Sequence, residues 1–186
     1  MDIASIFSEL LSHMRLGLTI HNDFAEIYGF LNLCGYQRCQ EYHYYEESKS
    51  YRDLQNFYTT QYNQIARIEE LPAREIIPSN WFKHTKFDVD ISTKKNGVEE
   101  VLRKWLEWEQ ETEKLLISKY KILYELNELV AVQKLTELIK DVNEEISYIK
   151  NEQLNLAAIN FDLSIIVPEQ ETLYAEFSEK IKELRG

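Results

Sequence analysis

Glycine and proline are scarce, five and three in 186 residues, which argues against disordered, collagen-like or linker-rich chains and points to a helix-rich domain. No apolar run approaches the ~18 residues a membrane span needs. The N-terminus carries Asp2 and no basic segment, so no signal peptide is expected and the protein is expected in the cytoplasm. Only two cysteines are present, Cys34 and Cys39. Their spacing reads as reduced thiols at a helix junction, with neither a disulfide nor a metal pair expected. Positive charge is short as well. The net charge is −11, with 13 acids against 10 bases up to residue 98 and 19 against 11 beyond it. Such a surface repels phosphate backbones, so direct nucleic-acid binding is not expected. It suits a basic partner, or mimicry of nucleic acid toward a protein that normally holds it.

Residues 98–126 carry the clearest pattern. Val98, Val101, Trp105, Trp108, Thr112, Leu115, Lys119, Ile122 and Leu126 fall on one helical stripe, widened by Leu102, Leu116 and Leu123. No Gly or Pro interrupts it, so the helix runs for about 29 residues, roughly 45 Å. Glu109 sits in the middle of that stripe. A carboxylate there is costly unless it is paired, protonated or bound to a metal.

The rest of the chain supplies partners. Asp2–Asn32 reads as a first helix with Asp2 as N-cap, ending near Gly35 in a left-handed cap. A second helix begins around Tyr36, and its inward stripe (Tyr36, Cys39, His43, Glu46, Ser50, Leu54) is polar in its first half. From Pro72 to Gly97 the helical period stops. Trp81 and Phe82 anchor a turn there, and Phe87, Val89 and Ile91 alternate as an extended piece. This connection is long enough to cross a bundle and start the third helix parallel to the second. A fourth helix follows a boundary near Asn127, with Glu145 interrupting its stripe. Pro168 starts a last amphipathic helix. The expected organisation is a single domain over 1–186, with a bundle at 2–158 and a C-terminal helix at 168–185.

Eight of the twelve tyrosines lie between Tyr28 and Tyr62, too many for one buried face. Tyr42, Tyr44, Tyr45, Tyr51 and Tyr58 are therefore expected at an interface, with a second copy or with another protein.

Four long helices joined short, long, short resemble the ferritin-like superfamily over residues 5–158. The run WLEWEQETEKLL resembles that superfamily's third helix, in which a Glu projects inward among large apolar residues. The resemblance implies an all-α, ferritin-like four-helix bundle with a long crossover between helices two and three, plus an extra C-terminal helix. It also implies a site for two iron or manganese ions, built from one Glu on each of two helices and a Glu-x-x-His on each of the others. The pattern departs from this. Glu145 is followed at i+3 by Tyr148, Glu46 by Lys49 and Glu47 by Ser50, and His21 stands where an inward Glu is wanted. The remaining inward set is His21, His43, Glu46, Glu109 and Glu145, either a metal site or a hydrogen-bonded network. His13 and His84 are expected at the surface or its boundary. No nucleophile motif, phosphate loop or zinc pattern is present. Richness in Ile, Lys, Asn and Tyr resembles products of AT-rich bacterial genomes and their phages. Three functions follow. The leading expectation is a non-catalytic acidic bundle acting by protein–protein binding, of the phage accessory or inhibitor kind. The alternatives are a di-metal carboxylate protein with iron or manganese, and a nucleic-acid mimic that inhibits a host enzyme.

Overall fold

The structure is a computed structural model that describes residues 2–72, 74–76 and 90–185. Among the described residues five helices follow one another: α1 Ile3–Phe30, α2 Cys34–Tyr62, α3 Ile91–Glu125, α4 Leu129–Ala158 and α5 Leu163–Arg185. Asp2 caps α1 as expected, its carboxylate accepting from the Ser5 N–H at 2.7 Å. The third helix begins earlier than its apolar stripe. Asp90 caps it by accepting from Thr93 N–H at 2.7 Å, so Ile91, expected in an extended piece, is its first residue. Gly97 lies inside the helix, because a good cap and tertiary packing outweigh one glycine's low propensity. Trp81, Phe82, His84, Phe87 and Val89 lie outside the described residues.

The helix ends explain how the chain manages with so little glycine. Asn32, Asn127 and Asn160 are left-handed, at φ 60°, 61° and 52°. Each donates its N–H three residues back, and the next residue donates five back, as in Leu33 N–H to the Tyr28 carbonyl at 2.9 Å. This is the Schellman closure, with Asn in the place usually taken by Gly. Gly35 was expected to supply that cap. It lies instead in the first turn of α2, where α5 passes so close that a β-carbon would come within 2.6 Å of the Gln170 carbonyl oxygen and 2.8 Å of Leu173 Cβ.

Side-chain pairs fix the helix directions. His21 meets Gln40 and Phe7 meets Tyr58, so α1 and α2 are antiparallel. Glu9 meets Lys119 and His13 meets Thr112, making α1 and α3 antiparallel too. Hence α2 and α3 run parallel, as the length of the connection required. That connection is pinned along the bundle: Glu69 N–H donates to Ser12 Oγ at 2.8 Å, and Lys104 Nζ donates to the Ile76 carbonyl at 2.9 Å.

The interior falls into two apolar halves. One gathers Phe24, Tyr28, Leu31, Leu33, Val98, Trp105 and Ile149. The other gathers Phe7, Leu10, Leu54, Leu116, Leu123 and Leu135 at the opposite end. Between them, at mid-bundle, sits a polar layer contributed by all four bundle helices. Lys119, on the apolar stripe of α3, is buried yet reaches Glu9 at its tip, as a long stem with a charged head does.

The last helix starts five residues before Pro168, from Asp162, whose carboxylate accepts from Ser164 N–H at 2.8 Å. It runs alongside α2 in the same direction. Gln170, 4% exposed, places its Oε1 3.0 Å from Gly35 N and 3.2 Å from Tyr36 N. The first turn of α2, which has no capping side chain of its own, is thus capped from α5. Replacing Gln170 with Leu leaves two buried N–H groups without an acceptor and is expected to cost about 1–3 kcal/mol. Urea denaturation of Gln170→Leu checks this; a midpoint equal to wild type refutes the cap.

Candidate metal centre

The polar layer lines a cavity of about 310 Å³. His21 comes from α1; His43, Glu46 and Glu47 from α2; Glu109 from α3; Glu145 from α4. His21, Glu109 and Glu145 each offer a ligand atom, and these lie within 4.8 Å of one another. His43 Nδ1 lies 3.1 Å from Glu145 Oε1 and 3.6 Å from a Glu46 oxygen. The five donors expected from sequence are therefore brought together, with Glu46 toward the rim, its side chain 42% exposed.

Sequence reasoning passed over Glu47. Its carboxylate lies 3.7 Å from His21 Nε2, pressed against the α1 backbone where Gly17 lacks a side chain; a β-carbon at Gly17 would collide with it. A lone glycine mid-helix facing an acid on the next helix is the only trace this leaves in sequence. With Glu47 included, the layer holds four carboxylates and two imidazoles.

Surrounding residues fix how these groups present themselves. Gln40 Oε1 accepts from His21 Nδ1 at 3.0 Å. Nδ1 is thereby the donor to Gln40, and Nε2 faces Glu109 and Glu47 at 3.6 and 3.7 Å. Trp105 Nε1 donates to Glu145 Oε1 at 2.9 Å. Tyr42 donates to Glu46 Oε1 at 2.5 Å. Among the described residues three buried side-chain atoms stay without a hydrogen bond: Trp108 Nε1 outside the layer, and within it Glu47 Oε2 and His43 Nδ1, which is near Glu145 but misaligned for one. Buried polar atoms are rarely left this way.

Electrostatics point in the same direction. Burial raises Glu109 to about 8. It raises Glu145 to about 8 also, with repulsion from Glu109 adding to it. Glu47 goes well above the carboxylate range, through burial and then through Glu109 and Glu145. His43 is pushed well below the imidazole range by burial and by His21. Burial and mutual repulsion thus favour the protonated form of these carboxyls in the metal-free chain.

Elsewhere, His13 is buried and not at the surface. Thr112 donates its hydroxyl to the Trp108 carbonyl at 3.0 Å, so His13 Nε2 donates to Thr112 Oγ1 at 2.8 Å. Its ring stacks on Trp108 at 4.2 Å, and burial lowers its pKa to about 4. The five tyrosines expected at an interface are spread out. Tyr58 is a core residue stacked on Phe7 at 4.8 Å. Tyr42 packs on Phe177 and Tyr45 under Arg185, both of α5. Tyr44 and Tyr51 are half-buried.

In chelated protein, Glu109→Gln is expected to report the pH dependence directly. Glu109 has its folded pKa raised, so its contribution is neutral below the unfolded value of ~4.5 and becomes increasingly unfavourable as pH rises toward 8. Wild type should match the variant near pH 4 and fall below it by on the order of 3–5 kcal/mol by pH 8.5. Urea unfolding at both pH values checks the sign; a pH-independent difference refutes the buried, proton-holding carboxyl.

Against solved structures, the chain superposes on an iron-soaked PmFTN variant with TM-score 0.75 and 12% identity, covering 92% of this chain and 99% of that one. A second iron-soaked PmFTN variant gives TM-score 0.72 and 12% identity over 90% and 99%. An Archaeoglobus fulgidus ferritin engineered into a closed form gives TM-score 0.73 and 12% identity over 94% and 96%. No protein-family model and no curated protein matches the sequence. At such identity the likeness speaks for the path of the backbone: the chain has the ferritin-like fold.

Proposed function

We propose that this protein is a ferritin-like metal-binding protein that takes up two divalent first-row ions, iron or manganese, in its central polar layer. This places the di-metal alternative ahead of the non-catalytic protein-binding role that the sequence alone favoured. One observation carries the reading. Six donors from four helices face one another across gaps of 3.1–3.7 Å, too long for hydrogen bonds in three of the four cases. Two ligands of one ion, each at roughly 2.0–2.2 Å and at right to tetrahedral angles, stand about 3–3.6 Å apart. These separations suit a coordination shell better than a hydrogen-bonded network, which supports the reading.

His21, Glu109 and Glu145, whose ligand atoms lie within 4.8 Å of one another, would hold one ion, with Glu47 beside His21; His43 and Glu46 would hold the other next to Glu145. Four hard carboxylates and two imidazoles are the donor set that suits iron or manganese. The inventory equals that of the two-Glu, two-Glu-x-x-His arrangement, with its histidines moved to α1 and to the position three residues before Glu46. Bound ions of this kind supply a Lewis-acidic, redox-active centre. The chain's own residues do the positioning. Gln40 aims His21 Nε2 inward, Trp105 holds the Glu145 carboxylate, and Tyr42 restrains Glu46. The iron-soaked neighbours lend the reading support.

Manganese added to chelated protein is expected to bind at two per chain and to raise the melting temperature, since a ligand at 100 times its Kd adds about 2.7 kcal/mol. His21→Ala and Glu109→Gln should lose most of that rise. Elemental analysis and thermal melts check both statements. Wild type that retains no iron or manganese after purification without chelator, and whose melting is unmoved by either metal, overturns the proposal.

Gly17→Ala offers a finer test. The added methyl displaces only the flexible end of Glu47 and replaces a mid-helix glycine, so metal-free stability should hold or rise by ~0.5–1 kcal/mol. Manganese affinity should fall at least tenfold. Unchanged affinity by calorimetry would remove Glu47 from the site.

A further inference from the structure

The cavity is larger than its donors require, and the excess is mostly apolar, with Ser50 and the mutually bonded His13 and Thr112 as its polar lining. Beyond the carboxylates and imidazoles it continues along Leu10, Met14, Leu115, Leu116, Leu138 and Val142. Packed protein interiors hold few voids larger than a water molecule, so an open space of this kind loses contact energy unless something fills it. At 310 Å³ it is about twice the ~150 Å³ apolar cavity that admits benzene. With room set aside for the polar end, it accepts a chain of about eight to ten non-hydrogen atoms.

The way in is visible too. Helices α2 and α4 are bridged at one end by Tyr36 to Glu152 at 2.9 Å and at the other by Tyr62 to Glu128 at 2.9 Å. Between those ends the cavity reaches the surface past Glu46, Ser50, Asp141 and Glu144. Asp141 and Glu144 are exposed. Three acids at the mouth disfavour an anionic head group, and the apolar far end disfavours a small hydrophilic molecule.

We infer that this cavity binds an uncharged, unbranched aliphatic molecule of medium length, such as a primary alcohol of about eight carbons, with its oxygen at the His21–Glu109–Glu145 end and its chain among the leucines. The inference deepens the metal-binding reading by naming a class of organic substrate for the same site. The binding step itself does not depend on a metal being present.

The test uses full-length protein, chelated and manganese-loaded, titrated with 1-butanol, 1-hexanol, 1-octanol and 1-dodecanol by calorimetry and by the fluorescence of Trp105 and Trp108. Saturable one-to-one binding is expected, strengthening from butanol to octanol and failing at dodecanol, which outgrows the cavity. Octanoate should bind at least tenfold more weakly than octanol to chelated protein. Leu115→Phe and Val142→Phe, both at half-buried positions, place a ring in the apolar end. Each should weaken octanol binding at least tenfold and leave manganese stoichiometry unchanged. Absence of saturable octanol binding, affinity that keeps rising through dodecanol, or octanol affinity unmoved in both filled variants would overturn the inference. Octanoate binding equal to octanol would overturn the uncharged head group. The outcomes separate from those of the metal reading: octanol binding without metal uptake keeps the cavity and removes the metal, and metal uptake without octanol binding does the reverse.

Discussion

Desolvation of acid side chains at mid-bundle is the constraint around which this molecule is built. Glu109 is buried, and Glu47 and Glu145 are mostly withdrawn from water, their side chains 16% and 22% exposed; the low-dielectric surroundings that make such carboxylates expensive also strengthen their attraction for a cation. The two apolar halves on either side provide the burial that offsets this cost. The interior is therefore neither a continuous hydrophobic core nor an open channel. It is two packed ends holding a polar middle, and each bundle helix carries one stretch of each kind.

The supporting residues decide what the middle can do. A ring nitrogen that pointed its proton at the carboxylates would form an ordinary hydrogen-bonded pair. Gln40 holds the other face of His21 and leaves its Nε2 too far from the carboxylates, 3.6 and 3.7 Å, for such a pair. Trp105 contributes twice, as one of the largest fully buried side chains and as the donor that orients Glu145. Packing and chemistry thus share residues, which is why the third helix gave the strongest pattern in sequence.

Glu109 could be read without a structure because it breaks a stripe of tryptophans and leucines, and a broken stripe is visible in one dimension. His21 and Glu145 were legible for the same reason, each at a helical repeat of apolar neighbours, and His43 and Glu46 as the polar first half of the α2 stripe. Glu47 was not. Its burial depends on Gly17 of another helix, and a contact between residues thirty apart has no signature in spacing. The architecture was legible from helix length and the long connection. The ends were less so: Asn32 closes α1 where Gly35 seemed to, and Asp90 extends α3 across Gly97. A search by motif looked for Glu-x-x-His and missed that His43 precedes Glu46 at the same separation. Proximity of donors, and not their order along the chain, is what a metal reads.

The strap formed by α5 gives the second helix something that straight packing does not. Neighbouring positions on an α-helix are separated by about 100° of rotation, since ~3.6 residues complete a turn. Glu46 and Glu47 are such neighbours, one near the rim and one pressed inward. A roll of α2 by one such step would exchange their stations, and a smaller one would already swing His43 away from Glu145. Gln170 grips the leading turn of α2, Ser178 receives a bond from Arg38, and Arg185 reaches Tyr45. Three points of attachment along one flank resist torsion, so the helix outside the bundle sets the angular register of the donors inside it.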